Sequence, residues 1–456
     1  MRNIYLLILL FAGTCAIIQG QTVSRTLTGF IRTGTYSEIH NPGHDNPFSS
    51  VYADGGFRLD VRNQQNFRAY ADIRYRYGSE FRQNVSALQL REAWVSWYSG
   101  NFEVTMGQHI TKWGRADFDN PTSSFNPRNL VVRSPEKEDM DLGNITASLT
   151  YTPAGFLSLQ FIVAPFYRPD VLVTAPLDLP ATVNLRELDG LTGGKSMTSY
   201  GARAEFFLRG IDFSISWFNG NDPLPGIRYD GFTIDIIDES TADIEVNMTV
   251  TPYRVKRLGF DFETVAGRFG LRGETAFTKP DLSFRTYGYV PMPEIEWAAG
   301  ADLTLGKIML GAEYIGKYIT DFEPAAVLPV LPGSMPDLTP QQIEQMITNP
   351  GIMDWLIGVN TAAFNRLYMY QLEKSYHSAG LRIEADIANG NILPGMIMLY
   401  NITSGDLALV PSVRFRPADG LSVFLGADFY AGPENSLYDI IDRPLSNFFV
   451  SFRADF

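Results

Sequence analysis

The feature that most constrains this chain is a two-residue alternation of apolar and polar side chains that recurs along most of its length. In residues 66–77, Phe67, Ala69, Ala71, Ile73, Tyr75 and Tyr77 share one face, while Arg68, Asp72, Arg74 and Arg76 share the other. Residues 57–62 repeat the pattern with Phe57, Leu59 and Val61 against Arg58, Asp60 and Arg62. The final segment sets Phe448, Val450, Phe452, Ala454 and Phe456 against Ser451, Arg453 and Asp455. A period of two is that of a strand with two unlike faces. In water the apolar face would pack on a second sheet, as in a β-sandwich. In lipid it can face outwards only if the sheet closes, because an open edge would leave backbone donors and acceptors unpaired.

The start of the chain favours export and so the lipid alternative. Arg2 precedes an apolar run from Ile4 to Ala12 and then small and polar residues, which is the order of a signal peptide, residues 1–20. Cleavage is expected after Gly20, and the apolar run is too short for a membrane-spanning helix. Cys15 follows Thr14 and a short run, which argues against lipidation. A chain beginning at Gln21 has no cysteine, so neither a disulfide nor a thiol metal site is expected. The net charge of −13 disfavours nucleic acid as a partner. No later apolar run has the length of a membrane helix, although 45% of the residues are hydrophobic and 31 are phenylalanine. An exported, helix-poor, aromatic-rich chain of this kind points to a barrel in the outer membrane of a Gram-negative-type bacterium.

Turn signals order the strands. Short connections are read at 63–66, 99–101, 153–155, 209–211, 267, 306, 389–391 and 417–420. Longer ones are read at about 37–50, 78–86, 113–142, 169–196, 220–252, 279–294, 319–374, 404–406 and 431–446. The alternation of short and long is that of periplasmic turns and external loops. It predicts an all-β fold over residues 21–456, a single-chain antiparallel transmembrane β-barrel of about 18 strands with both termini in the periplasm. The stretch 243–252 is read as part of a tall external hairpin, since a further barrel strand would break the even count. About four residues separate the cleavage point from the first strand, so no plug domain is expected there.

One loop is expected to hold helices. Thr339 as N-cap, Pro340 at the first position and Gln342 at the third predict a helix to about Thr348, and a second is expected over Met353 to Leu367. Both lie in the loop 319–374, which is unusually apolar at Val327, Leu328, Trp355, Leu356 and Ile357. Such a loop packs on itself and the barrel mouth, or serves as a lid or a docking surface for an external partner such as a surface lipoprotein.

In a barrel the inward face is the functional face. Alternation puts Arg32, Arg58, Arg62, Arg68, Arg74 and Arg76 on the lumen side of strands one to three, opposed in sign only by Asp60 and Asp72. Strands ten to twelve contribute Asp261, Glu263, Glu274, Glu296 and Asp302 against Arg257 and Arg272. With strands two and eleven half a circumference apart, an arginine wall should face a carboxylate wall and set a transverse field across the pore. The bland alternative is that these charges pair and fill the lumen as structure. The third external loop, 113–142, is densely charged and rich in turns, and is expected to fold inwards as a constriction carried by Lys112, Arg115, Asp117, Asp119, Arg128 and Arg133. Asp117 with Asp119 offers too few ligands for calcium. His109 is read as a polar lumen residue, and the rim pair Ser375 and His377 as the only candidate for hydrolytic chemistry. Clustered aromatics such as Trp94, Trp97, Tyr98, Trp217, Phe218, Tyr314, Tyr318, Phe448 and Phe449 suit interfacial girdles.

Residues 107–130 (GQHITKWGRADFDNPTSSFNPRNL) resemble a pattern in porin-like bacterial outer-membrane barrels, broadly similar to the alginate-export type of eighteen-stranded protein. Gly107, Trp113, Gly114, Arg115, Asn126, Pro127, Arg128 and Leu130 match, while Asn129 stands where an acid is usual; residues 164–169 (APFYRP) look like that group's next turn. The resemblance covers about 60 residues and implies a passive channel without naming its solute. The expectation is therefore a channel without cofactor for small hydrophilic solutes, anionic or zwitterionic, and not an enzyme. The alternatives are a binding or assembly barrel worked through loop 319–374, and an uptake channel for hydrophobic molecules. Outer-membrane lipid would surround it, and Phe456 on the last strand would be the signal read by the barrel-insertion machinery.

Overall fold

The computed structural model describes residues 23–39, 47–63, 66–172, 179, 182–188, 191–236, 242–329 and 349–456. The expected signal peptide, His40, His44 and the helix expected at 339–348 lie outside the described residues.

Strands form where the alternation was read. In chain order they are β1 (Val23–Glu38), β2 (Phe48–Asn63), β3 (Phe67–Glu80), β4 (Gln83–Ser99), β5 (Phe102–His109), β6 (Asn144–Ala154), β7 (Leu157–Ala164), β8 (Ser199–Leu208) and β9 (Ile211–Asn221). They continue with β10 (Arg254–Ala266), β11 (Phe269–Pro280), β12 (Glu294–Leu305), β13 (Ile308–Ile319), β14 (Ser375–Ala385), β15 (Ile392–Asn401), β16 (Leu407–Ala418), β17 (Leu421–Ala431) and β18 (Asn447–Asp455). These 18 strands make one antiparallel sheet in which each pairs with the next. The sheet closes where β18 pairs with β1, from Asp455 opposite Phe30 to Asn447 opposite Glu38. The backbone of Phe456 completes the seam, exchanging hydrogen bonds of 2.7 and 2.9 Å with Gly29.

The stretch 243–252 belongs to no barrel strand. Gly226–Ile236 pairs with Ala242–Thr251 in a separate hairpin above the rim, and Val183–Arg186 adds to it in parallel. Helix α1 (Pro350–Tyr368) spans the second expected helix. Its buried face, Met353, Ile357, Phe364 and Leu367, packs on Ile227, Val246 and Met248 of that hairpin. Asn365 clamps the two, accepting from Ile227 N (2.8 Å) and donating to Ile227 O (2.7 Å). A second helix, α2 (Leu437–Leu445), sits in the loop read as 431–446 and was not expected. It is one short element with Pro444 inside, although Ser436 caps it by accepting from Asp439 N.

The outward face of the sheet is apolar and open: Leu27 is 65% exposed, Ile31 63%, Phe57 57% and Val265 75%. An apolar surface that encircles the molecule needs lipid. Among the described residues no helix is long and apolar enough to cross a membrane, so the strands do the crossing. Of the expected girdle, Trp97, Trp217, Tyr314, Tyr318 and Phe448 are exposed, but Trp94, Phe218 and Phe449 are buried on the inward face, one register position away from their outward neighbours.

Candidate functional site: a loop strapped across the lumen

The lumen is occupied by the third long loop, L3, residues 110–143, between β5 and β6. Its entry is set by Trp113 and Gly114. The Trp113 indole donates to Gln160 Oε1 of β7 (2.9 Å) and stands edge-on to Phe125, which stands edge-on to Phe218 of β9. Each such aromatic pair contributes about 0.5–1.5 kcal/mol beyond burial. This cluster lies flat on β8 because position 201 is glycine; a Cβ there would sit 2.6 Å from Phe125 Cζ. Gly114 has φ +85°, a left-handed turn that sends the chain off the wall. Asn126 closes the base of the loop by accepting from Thr111 N (2.7 Å), so the residues of the matched motif hold the loop's shape.

From there L3 is fastened to one wall. Arg115 forms ion pairs with Asp261 (2.7 Å) and Glu263 of β10 and Glu205 of β8 (2.9 Å). Glu274 of β11 accepts from the backbone N–H of Arg115 (3.0 Å) and Ala116 (2.7 Å) and from the Thr122 hydroxyl (2.7 Å). Glu313 of β13 accepts from Asp117 N (2.9 Å) and Phe118 N (3.1 Å). The Asp117 carboxylate goes to Arg272 (2.6 Å) and Arg382 (3.2 Å), so it is engaged in pairing rather than free for a cation. Phe118 presses on β14 at Gly380, where a Cβ would be 2.6 Å from the ring.

The other end of L3 is fastened to the arginine wall. Arg32 donates to Asp54 of β2 and, from Nη1, to Ser134 (2.7 Å), Glu136 (3.1 Å) and Asp139 (2.7 Å) of the loop. Asp139 also binds Arg74 (2.6 Å), and Glu136 also binds Arg453 of β18. Arg133 N donates to Glu80 and its guanidinium to Pro444 O (2.8 Å) at the end of α2. Lys137 Nζ donates to the carbonyl of Asp117 and ties the two halves of L3 together.

The two walls therefore face L3 and not each other. Arg32, Arg74, Arg76, Asp261 and Glu274 are buried or engaged in pairs and do not line the open lumen, whereas Glu296, paired with Lys317, lines a cavity beside the loop. Burying such charges is tolerated only with matched partners, and the loop supplies those of Arg32, Arg74, Asp261 and Glu274. Arg58, Arg62 and Arg68 remain partly exposed near Asp60 and Asp72, as do Glu263 and Asp302 on the far side. Arg133 is buried against Tyr36 and Phe81 and is structural, whereas Lys112 is exposed. His109 packs edge-on to Trp94 at 5.2 Å. His377 meets the Tyr314 hydroxyl at 2.6 Å on the outward side of the sheet. Glu205, Glu313, Lys317 and Arg382 were missed by sequence reasoning, although Glu313 with Lys317 in β13 and Arg382 with Glu384 in β14 share the strand parity of an inward face; Arg453 was read on the polar face of the last strand but not as a partner of the loop.

Two cavities flank the loop. One of about 590 Å3 lies towards the long-loop rim, over Phe118, Asp119, Arg128 and Met140 and under α1 and α2. One of about 460 Å3 lies towards the short turns and is lined by Glu136, Arg414, Arg416 and Arg453. Both touch the turn Lys137–Met140 or its flank, which separates them. On the facing wall, the register places Ile397 opposite Val410, and Leu399 opposite Gly380 on one side and Ala408 on the other. The inward side chains of β15 carry no charge there, between Arg382 of β14, opposite Ile397, and Arg414 of β16, opposite Leu393.

These features define a transmembrane β-barrel whose lumen is partitioned by its third long loop. Crystal structures with similar architecture include Pseudomonas aeruginosa OccK9 (OpdG), 9% identical over 95% of this chain and 98% of that one, with a TM-score of 0.52. Pseudomonas aeruginosa OccD3 (OpdP) is 11% identical over 96% and 92%, with a TM-score of 0.51. Acinetobacter baumannii OccAB3 is 8% identical over 95% and 99%, with a TM-score of 0.52. No protein-family model matches the chain, and no curated protein matches it. At such identities the likeness is one of fold, and it does not bear on the alginate-export resemblance of residues 107–130.

Proposed function

We propose that the chain is a bacterial outer-membrane channel for passive diffusion of small hydrophilic solutes, with L3 as its constriction. The observation that carries this reading is the strapping of L3 to both charged walls. It leaves the uncharged inward face of β15, with Ile397 and Leu399, as the side along which a solute can pass between the two cavities. L3 supplies partners to Arg32 and Arg74 on one wall and to Asp261, Glu263 and Glu274 on the other. The fold shared with the Occ proteins agrees with this reading. Export by the residue 1–20 segment and insertion signalled by Phe456 belong to the same proposal. Liposome swelling tests it: vesicles holding the purified barrel should swell in iso-osmotic small sugars or amino acids and not in a large polysaccharide. No swelling with any small solute would contradict it.

A second reading, in which the 319–374 loop acts as a lid, is favoured by one observation. Helix α1 is held over the outer cavity by Asn365, by Tyr368 OH donating to Pro225 O (2.6 Å) and by Lys317 Nζ donating to Met369 O (3.1 Å). Deleting residues 325–367 should then raise the swelling rate with the barrel intact.

A further inference from the structure

The outer cavity holds two charges of opposite sign, Arg128 and Asp119, that form no ion pair among the described residues. The Arg128 guanidinium has one hydrogen-bond contact among the described residues, a weak one to Met140 Sδ at 3.7 Å. The Asp119 carboxylate has no hydrogen bond and no ion pair among the described residues; only its backbone N–H is engaged, by Glu313. The other charged groups of the cavity are satisfied. Glu296 is paired with Lys317 at 2.8 Å, Asp170 accepts from Arg128 N at 2.7 Å, and Asp406 accepts from Tyr438 N at 3.1 Å. Above this floor the lining is apolar and aromatic, with Leu224, Ile227, Phe364, Tyr368, Tyr430 and Ile440.

A lone anion at Arg128 would leave Asp119 repelling it, and a lone cation at Asp119 would meet Arg128. In a partly desolvated cavity both penalties exceed their values in water. A molecule carrying both charges satisfies both side chains at once, and an apolar body matches the walls. We propose that the outer cavity is a binding site for a small zwitterion with an apolar body, of the amino-acid or short-peptide class. Its carboxylate is held by Arg128, its ammonium by Asp119, and its side chain by the tyrosines and aliphatic residues above. The cavity volume of about 590 Å3 accommodates such a molecule. As a statement of what the channel carries, this inference rests on the channel reading; as a binding site it does not.

Calorimetry on the full chain in detergent tests it, with four probes: L-phenylalanine, 3-phenylpropionate without the ammonium, phenethylamine without the carboxylate, and glycine without the apolar body. Phenylalanine should bind about tenfold or more tighter than each of the others, because each leaves one charged or apolar part of the site unmatched. Asp119→Asn should bring phenylalanine to the level of 3-phenylpropionate without weakening 3-phenylpropionate itself. Arg128→Gln should bring it to the level of phenethylamine. Circular dichroism of the barrel checks that each variant is folded, and the four-probe comparison on the unaltered protein stands without them. Equal binding of phenylalanine and any one of its analogues, or no binding at all, would overturn the site. Binding without swelling would overturn the channel and leave the site; swelling without binding would do the reverse.

Discussion

Arg115 of L3 and Asp261 of β10 meet at 2.7 Å, a guanidinium from the loop on a wall carboxylate that is almost wholly buried. Glu205 and Glu263 share the same arginine. Removing one partner of a buried pair costs more than the pair contributes, because the remaining charge is left desolvated. Arg115→Gln should lower the barrel's resistance to thermal unfolding by about 3 kcal/mol. It should also free the 114–119 segment, seen as faster proteolysis of L3 in the folded protein. An unchanged proteolysis rate would mean that the strap lies elsewhere.

Charge reversal separates buried from lumen-lining arginines. Arg74 contacts Asp72 and Asp139 and is buried, so Arg74→Glu should abolish assembly and not alter selectivity. Arg414 and Arg416 line the inner cavity without a carboxylate partner among the described residues. Arg414→Glu with Arg416→Glu should preserve the fold and shift the reversal potential in a salt gradient towards cation preference. A reversal potential that does not move would show that the ion path avoids that cavity.

Much of this could be read from the sequence. The alternation at 57–62, 66–77 and 448–456 placed the strands because a period of two has one solution in lipid, and the turn rhythm supplied the count of 18. Alternation also placed Arg32 and Asp261 on the inner face. It could not say that they are covered, because L3 lies over them and its contacts link residues about a hundred or more positions apart, such as Arg32 to Asp139 and Arg115 to Asp261. The motif residues Trp113, Gly114 and Asn126 were visible as a pattern, but their roles in seating the loop depend on Gly201 and Thr111, which lie in other elements or at the loop base.

Gly201 gives a direct test of that seating. Gly201→Val would force a side chain into Phe125 and Trp113, at a cost of about 1–3 kcal/mol if the neighbours yield. L3 should leave β8, and limited proteolysis within 113–128 should accelerate while the barrel's circular dichroism is kept.

One titration in the long loops should be observable. Burial, reinforced by Asp222, pushes the Asp170 carboxyl up to about 7, against the Arg128 N–H that it accepts. An unfolded aspartate titrates near 3.9, so the folded form binds a proton that the unfolded form has lost. The resulting stability is complete below about pH 4 and is lost as pH rises to about 7. Hydrogen exchange at residues 128–130 and 171, corrected for its intrinsic pH dependence, should be slower at pH 5 than at pH 8. Asp170→Asn should remove the difference; a difference that persists in the variant would assign it to another group.

The central claim is that L3 constricts an open path. Single-channel current in planar bilayers, recorded for the protein and for a variant with residues 114–141 replaced by a short Gly-Ser link, tests it most directly. The account predicts stepwise, ohmic openings in the protein and a conductance several-fold larger in the variant, since widening a charged constriction removes its main barrier. Equal conductance in the two, or none in either with the barrel folded, would contradict it.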